Sequence, residues 1–493
     1  MSKRKFLVHA FLFSLIASCT NAYADEPGWW ANPFNDPLAT QSDIRSAPVT
    51  GCEAAPDKDT ILTLANAVQF ALCHNPQTRQ SWANVMTQAA RVGSARSAYL
   101  PDVTADVGVF YNIINSTTNG VANNTLNINT NTINGNMNST NSSFSPSLSL
   151  SYLLYDFGAR EANVDLTKAS LLAADYTHNA TLQTILFSTI QAYYQLYSAD
   201  ALVKAAREAV TSNKTSADAA TFRYKTGAAA IADQLLAETA YAQAELTMEQ
   251  ARNQREIARG TLANAMGVAP NSSFNMPSSA PDMLVSKFNQ SVTDMLENAK
   301  KQRPDLAAAA AQKEVSEANI NLQRAQAMPT ISVSAQEQFN RVITGSNRNS
   351  DGTFLGISMR VPLFTGFDRD YQIKAAQQQA NAQDAALHNA ENNALLDVWR
   401  SYNNYDTAKH TIGMTDALIA SARKSEQVAL GRYKAGAGTI TDLLNAQAQL
   451  ASARQQHVSA EYSLMIAKAD LLRSLGALDQ TAIAGLNDPK KVP

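Results

Sequence analysis

The stretch FRYKTGAAAIAD, residues 222–233, decides the fold, because it returns as GRYKAGAGTITD over residues 431–442. Gly227 and Gly436 lie 209 positions apart, and every other matched position in the two stretches has the same offset. Each glycine stands between two Ala- and Gln-rich runs, where its freedom to adopt a left-handed conformation lets a helix end and reverse. We interpret each stretch as the tip of a long helical hairpin, so the chain contains an internal repeat.

The repeat extends to the segments that precede the tips. Pro101 matches Pro329 at an offset of 228, whereas Leu154 matches Leu363 at an offset of 209. The first copy therefore carries a longer loop between these positions, within an Asn-, Thr- and Ser-rich tract that we expect to be exposed. The predicted organisation is a signal peptide (1–24), an extended N-terminal segment (25–60), a first helix–strand–strand–helix unit (61–290), a second such unit (291–478) and a C-terminal tail (479–493).

Each copy contains two runs in which apolar and polar residues alternate, the pattern of a strand with one apolar and one polar face. Phe110, on the polar face, and Glu337, on the apolar face, are exceptions. Runs of about 11 residues suit strands that span a membrane, although a soluble β-layer would alternate in the same way. The predicted strands cover residues 102–113, 145–156, 330–342 and 353–364.

Four strands cannot form an open sheet in lipid, because the backbone groups at its edges would lack hydrogen bonds. The sheet must close with copies of itself, giving eight strands in a dimer, twelve in a trimer or sixteen in a tetramer. More than eight strands leave room for a passage, which the polar faces would line.

Charge and motifs exclude several functional classes. The net charge is −2 and the pI is near 6.3, so the chain has no basic footprint for nucleic acid. The six histidines show no metal-ligand spacing, and the chain has no phosphate-binding glycine motif and no nucleophile elbow. We expect no enzyme activity, no cofactor and no bound metal.

The N-terminus predicts export. A basic segment, an apolar run and the cleavage site Ala22-Tyr23-Ala24 are typical of a signal peptide. The alternative is a lipoprotein signal in which Cys19 becomes the acylated first residue. In an oxidising periplasm, Cys52 and Cys73 favour a disulfide over two buried free thiols.

The paired Y-x-x-G-x-x-x-I-x-D tips and the proline-bounded strands resemble the TolC family of bacterial outer membrane efflux and secretion channels, over residues 60–478. The run Cys73-His74-Asn75-Pro76, taken with Tyr99-Leu100-Pro101, is most similar to the branch that serves type I protein secretion. The resemblance implies an α+β membrane protein. Its trimer would form a twelve-stranded outer membrane barrel that continues into a periplasmic α-helical coiled-coil tunnel.

The resemblance also implies roles at the tips. Tyr433 and Asp233 match gate residues that tie neighbouring hairpins together, and Asp442 matches an acidic ring at the constriction. Gly227 and Gly436 match turns that touch a periplasmic adaptor, which links the channel to an inner membrane transporter of the ABC or RND type.

Two positions depart from the family pattern. Gly438 stands where a gate arginine is expected, and Asn445 stands where a second acidic residue is expected. Two alternatives follow: Arg223, Arg432 or Lys434 replaces the missing charge, or the gate is looser than in the family.

A simpler interpretation gives the tip residues structural roles only. Tyr224 and Tyr433 would pack the turns, while Asp233 and Asp442 would cap the return helices, since a carboxylate is stabilised at a helix N-terminus.

Two functions are open to such a chain. The first is a passive outer membrane conduit in a tripartite export system, with either secreted proteins or small toxic molecules as cargo. The second is a non-conducting periplasmic coiled coil that bridges the envelope layers.

Overall fold

The computed structural model describes residues 61–118, 135–277, 281, 291–344 and 349–478. The predicted signal peptide (1–24), the extended segment (25–60) and the tail (479–493) lie outside these ranges, and so do Cys19 and Cys52. Within the described ranges, no helical segment combines the length and hydropathy that crossing a bilayer requires.

The described elements follow one another in two parallel series. The first series is α1 (Leu64–His74), α2 (Pro76–Ser97), β1 (Asp102–Thr118), β2 (Gly135–Tyr155), α3 (Ala159–Lys225) and α4 (Ile231–Ala265). The second series is α5 (Val292–Gln302), α6 (Pro304–Gln326), β3 (Thr330–Thr344), β4 (Ser350–Arg360), α7 (Asp368–Lys434) and α8 (Ile440–Ser474). Helices α3 and α7 have 67 residues each, and α4 and α8 have 35 each, so the internal repeat is confirmed.

One compact unit, whose described residues include 89–118, 135–169, 314–344 and 349–381, contains all four strands in a single antiparallel sheet of order β1-β2-β3-β4. β1 and β4 form the two edges of this sheet. Their apolar side chains have no protein cover: Val107 is 71% exposed on β1, and Leu355 is 76% exposed on β4. The sheet therefore has an exposed apolar face that continues to both edges.

The structure accounts for the aromatic residue on the polar face of β1. The ring of Phe110 lies over Gly108, where an added Cβ would be 2.7 Å from it. On β4, the ring of Phe354 covers Gly356 in the same way, at 2.8 Å. An aromatic side chain laid over a glycine near a sheet edge fills the space that the missing side chain leaves.

Two equivalent arginines hold the strand ends to the helices that follow. Arg160 pairs with Asp156 at 3.1 Å and donates a hydrogen bond to the carbonyl oxygen of Leu153 at 2.8 Å. Arg369 donates to the carbonyl oxygen of Ala327 at 2.9 Å. Arg160 satisfies a carbonyl group near the end of β2, whereas Arg369 satisfies one in the segment that leads from α6 into β3.

A second compact unit, whose described residues are 61–88, 170–277, 281, 291–313 and 382–478, contains the hairpin ends and the main core. Three tyrosines of α3 enter this core, and burial raises the pKa of Tyr193. Their hydroxyls donate to main-chain carbonyls, namely Tyr193 to Leu62, Tyr194 to Pro281 and Tyr197 to Pro277. The polar groups of loop segments are thereby satisfied inside an apolar core.

Each return helix ends at a glycine that packs on a short helix. Gly267 (φ +75°) and Gly476 (φ +72°) are in the left-handed region. A Cβ at Gly267 would lie 2.6 Å from the carbonyl group of His74, and one at Gly476 would lie 2.7 Å from that of Gln302. The backbone conformation and the close approach both require glycine at these joints.

Cys73, the last residue but one of α1, is disulfide-bonded. Its predicted partner, Cys52, lies outside the described residues, so that pairing stays a prediction.

Candidate functional site

We call α3 and α4 hairpin 1, with tip 1 at residues 222–233, and α7 and α8 hairpin 2, with tip 2 at residues 431–442. Both tips lie in the second compact unit. Gly227 (φ +74°) and Gly436 (φ +75°) stand just beyond the last helical turn, and both are exposed. The amide after each glycine donates to a carbonyl of that turn, at 2.7 and 2.9 Å. The predicted reversals are confirmed as left-handed helix ends.

The two return helices begin differently. At tip 2, the Asp442 amide donates to the Thr439 hydroxyl at 3.1 Å, and the Asp442 carboxylate accepts from the Thr439 amide at 3.4 Å. These hydrogen bonds from Thr439, with the nearby positive charge of Arg432, lower the pKa of Asp442. At tip 1, Ala230 occupies the cap position, and no side chain caps the helix. Asp442 is therefore a capping residue, whereas Asp233 is not.

Tyr433 anchors the packing of the two hairpins. It is 6% exposed, whereas its counterpart Tyr224 is 40% exposed. Its hydroxyl has no hydrogen-bond partner among the described residues. The buried cluster around it draws on all four long helices and comprises Ala217, Ala220, Ala237, Tyr433, Ile440 and Leu443.

Arg223 joins the two tips directly. Its Nη1 donates to the carbonyl oxygen of Tyr433 at 3.1 Å, and its guanidinium carbon lies 4.7 Å from the centre of the Tyr433 ring. An arginine over a tyrosine face gains a cation–π attraction in addition to the hydrogen bond. Of the three candidates to replace the missing gate charge, Arg223 is the one that contacts Tyr433.

A buried polar contact continues this junction along the hairpins. The Gln447 Nε2 donates to the Ser212 hydroxyl at 2.7 Å and to the Ser216 hydroxyl at 3.0 Å. Gln447 and Ser216 are 5% and 3% exposed. This contact was not predicted from the sequence, although two serines one turn apart on α3 are the signal that could have indicated it.

Asp233 and Tyr433, the two predicted gate residues, form no hydrogen bond with each other in the described part of the chain. Asp233 is half-buried on the first turn of α4. Its role at the gate therefore stays a prediction.

Gly438, which stands where the family pattern has an arginine, leaves space for the side chain of Arg432. A Cβ at Gly438 would lie 3.1 Å from the Arg432 Cβ, and the Arg432 Nη2 lies 3.5 Å from the carbonyl oxygen of Ala437. Arg432, Gly438 and Asn445 line an open groove on hairpin 2 with a volume of about 490 Å³. We call it the hairpin 2 groove, and its other lining residues include Lys424, Ser425, Val428 and Asp442.

Comparison with known proteins places this geometry in a family. The family described as "Outer membrane efflux protein" matches residues 67–268 and 295–477. Protein CyaE of Bordetella pertussis is 29% identical over 458 residues, which cover 91% of each chain. Outer membrane protein TolC of Escherichia coli is 25% identical over 449 residues, covering 87% of this chain and 85% of TolC.

The solved structures give the same fold. The outer membrane protein VceC of Vibrio cholerae superposes with a TM-score of 0.69 at 19% identity, covering 84% of this chain and 96% of VceC. This likeness confirms the predicted fold, in which the chain contains four strands and two long hairpins. The family match favours the channel over the non-conducting structural protein. The chain belongs to the outer membrane efflux protein family, and it is an outer membrane channel protein of bacterial export.

Proposed function

We propose that three copies of this chain form a passive conduit that is held closed at its periplasmic end by contacts between hairpin tips. A periplasmic adaptor opens it, and an inner membrane transporter of the ABC or RND type supplies the energy. The subunit itself carries out no chemistry. The observation that carries the proposal is the junction in which Arg223 lies over the buried ring of Tyr433.

This junction can work as a lock because it joins the two hairpins at their tips. Residues 217–220 of α3 and 440–443 of α8 share one small cluster, half of it alanine, in which Tyr433 is the largest side chain. A cluster of this size contributes little apolar area, so it can separate at modest cost. An adaptor that binds the parted tips better than the packed tips would shift the equilibrium toward the open state.

The adaptor is proposed to contact the turns at Gly227 and Gly436. Both turns are exposed, and both present main-chain groups beyond the last helical turn. Asp233, half-buried on α4, is proposed to tie its hairpin to the neighbouring hairpin. Three copies of Asp442 would surround the channel axis as an acidic ring.

Conductance in planar bilayers tests the lock. Asp233→Ala and Tyr433→Ala should each raise the closed-state conductance of purified trimers and the leakage of large antibiotics into cells. Thr247→Ala, an exposed position further along α4, is the matched control. Wild-type conductance in both tip variants would overturn the gate assignment and leave only the packing and capping roles.

The adaptor contact has its own test. Ala228→Cys and Ala437→Cys place a thiol beside each tip glycine without straining the positive φ. Adding the purified adaptor should protect both thiols from a maleimide, whereas a cysteine at Thr247 should stay reactive. Equal labelling of the tip thiols with and without adaptor would contradict the proposal.

For the cargo, we propose a secreted protein, because the similarity in the segments around Cys73 and Pro101 points to the type I secretion branch. Deletion of the gene should abolish secretion of a large protein while drug sensitivity changes little. Increased drug sensitivity with normal secretion would assign the conduit to small toxic molecules instead.

A further inference from the structure

The contacts between the two repeated hairpins within one chain indicate how two copies of the chain would contact each other. Within the chain, hairpin 2 covers one side of hairpin 1 through the contacts of Arg223, Ser216 and Gln447. The equivalent side of hairpin 2 is the hairpin 2 groove, which is open. Its residues Ser425 and Arg432 are the counterparts of Ser216 and Arg223 at the offset of 209.

The face that would fill this groove is also exposed in the single chain. Tyr433, Ile440 and Leu444 of hairpin 2, which lie in or pack against the tip cluster, have Tyr224, Ile231 and Leu235 as counterparts on hairpin 1, whereas the counterpart of the buried Leu443 is the polar Gln234. The side chains of Tyr224, Ile231 and Leu235 are 40%, 54% and 54% exposed. Three apolar side chains in a row at the end of a hairpin are typical of a contact surface rather than of a solvated face.

We infer that hairpin 1 of a second copy occupies the hairpin 2 groove, with Arg432 over the Tyr224 ring and Ser425 against Glu238 of the partner. Applying the offset to each contact seen within the chain generates these pairs. Arg223 on Tyr433 becomes Arg432 on Tyr224, and the bond of Gln447 to Ser216 becomes a bond between Glu238 and Ser425.

This inference rests on the proposed trimer, and it adds which side chains join the copies. Around a closed ring, junctions within a chain would alternate with junctions between chains. The repeat makes the two kinds similar in geometry, because the long helices and the return helices have equal lengths in both hairpins.

The two kinds of junction differ in charge. Within the chain, a neutral glutamine faces one buried serine, Ser216, and one half-buried serine, Ser212. Between chains, Glu238 would take its place, opposite a groove that contains two basic residues, Lys424 and Arg432, and one acidic residue, Asp442. Opposite charges make the faces complementary, and salt screens them more strongly than it affects a buried neutral hydrogen bond. Salt should therefore weaken the junction between copies more than the junction within the chain.

Pairwise thiol cross-linking tests the inference on full-length trimers. The variant Ser425→Cys with Glu238→Cys, treated with a short bifunctional thiol reagent, should give cross-linked dimers and trimers on denaturing gels. The variant Ser216→Cys with Gln447→Cys should lose both free thiols and still migrate as a single chain. Ser425→Cys with Glu249→Cys is the displaced control, since Glu249 lies about 16 Å further along the same helix.

The outcomes separate this inference from the proposed function. Intermolecular products with Glu238→Cys and their loss with Glu249→Cys support the pairing. Intact trimers that give no intermolecular product, or equal product with both partners, overturn the pairing but leave the conduit in place. A protein that forms no trimer before cross-linking overturns the conduit itself.

Discussion

Tip 1 and tip 2 begin from almost the same sequence and end in different surroundings. Tyr433 is buried beneath Arg223, whereas Tyr224 is exposed. Asp442 caps its helix in a reciprocal pair of hydrogen bonds, whereas Asp233 begins a helix with no side-chain cap. Residues that match in the repeat are therefore not equivalent in role.

The difference follows from position rather than from local preference. Hairpin 2 is covered by hairpin 1 on one side only, so each repeated side chain is inside the junction in one copy and outside it in the other. A repeat within one chain produces one internal junction and leaves one half-junction open on each hairpin. The four predictions below test this asymmetry.

The largest expected effect comes from the two tyrosines. Tyr433→Ala removes the largest side chain of the tip cluster, and burial of this kind is worth about 3 kcal/mol. Hydrogen exchange at the amides of residues 217–220 should therefore accelerate strongly. Tyr224→Ala should change the opening free energy of the same amides by no more than about 0.5 kcal/mol. Equal effects would show that the two tips are equivalent after all.

Substitution of Arg223 should have a larger effect than substitution of Arg432, just as substitution of Tyr433 should have a larger effect than substitution of Tyr224. Arg223→Ala removes both the cation–π contact and the hydrogen bond to the Tyr433 carbonyl, at a cost of about 1–2 kcal/mol to the same opening. Arg432→Ala should leave this opening unchanged. Arg223→Lys keeps the charge but loses the planar contact, so it should fall between the two. If Arg223→Ala leaves this opening free energy unchanged, Arg223 is not part of the lock.

The helix caps predict a smaller difference. Thr439→Ala deletes the cap of α8 and should cost about 1 kcal/mol in local stability at residues 440–443. Ala230→Thr supplies the missing cap of α4 and should stabilise residues 231–234 by a similar or smaller amount. Exchange rates measured on both variants would show whether the caps, and not only the packing, distinguish the tips.

The smallest expected effect is a dependence of the local stability of the start of α8 on pH in the acidic range. Because the folded state lowers the pKa of Asp442, the unfolded helix start binds more protons as the pH falls below the ordinary carboxyl range. The contribution of Asp442 is fully present above its unfolded pKa of about 3.9 and is lost as the pH falls through the lower folded value. Exchange at residues 440–443 should accelerate in this window in the wild type, and Asp442→Asn should remove that pH dependence.

The sequence predicted most of the architecture because the signals were periodic and occurred twice. The 3.6-residue and two-residue periods placed the helices and strands, and the shared offsets paired them into a repeat. The predicted ends of the strands were less accurate. The alternation of apolar and polar residues predicted a strand up to residue 364, whereas β4 ends at Arg360. Alternation of side chains carries no information about where the hydrogen bonds of a ladder stop.

The site was predictable in location and only partly in contacts. Glycine and tyrosine at matched positions marked both tips, but the sequence could not say which tyrosine is buried, since that depends on which hairpin covers which. The contact of Arg223 with Tyr433 spans 210 positions and has no local signal. Phe110 looked like a break in a pattern until the structure placed it over Gly108.

The glycine joints at Gly267 and Gly476 have a consequence for how such a chain can change over generations. Each joint tolerates no other residue, because a carbonyl group of a short helix occupies the space where a side chain would begin. The long helices and the return helices have equal lengths in the two halves, so either hairpin could be exchanged for the other by recombination without disturbing its anchorage. Duplicated halves are then free to diverge at their far ends while their hinges stay identical.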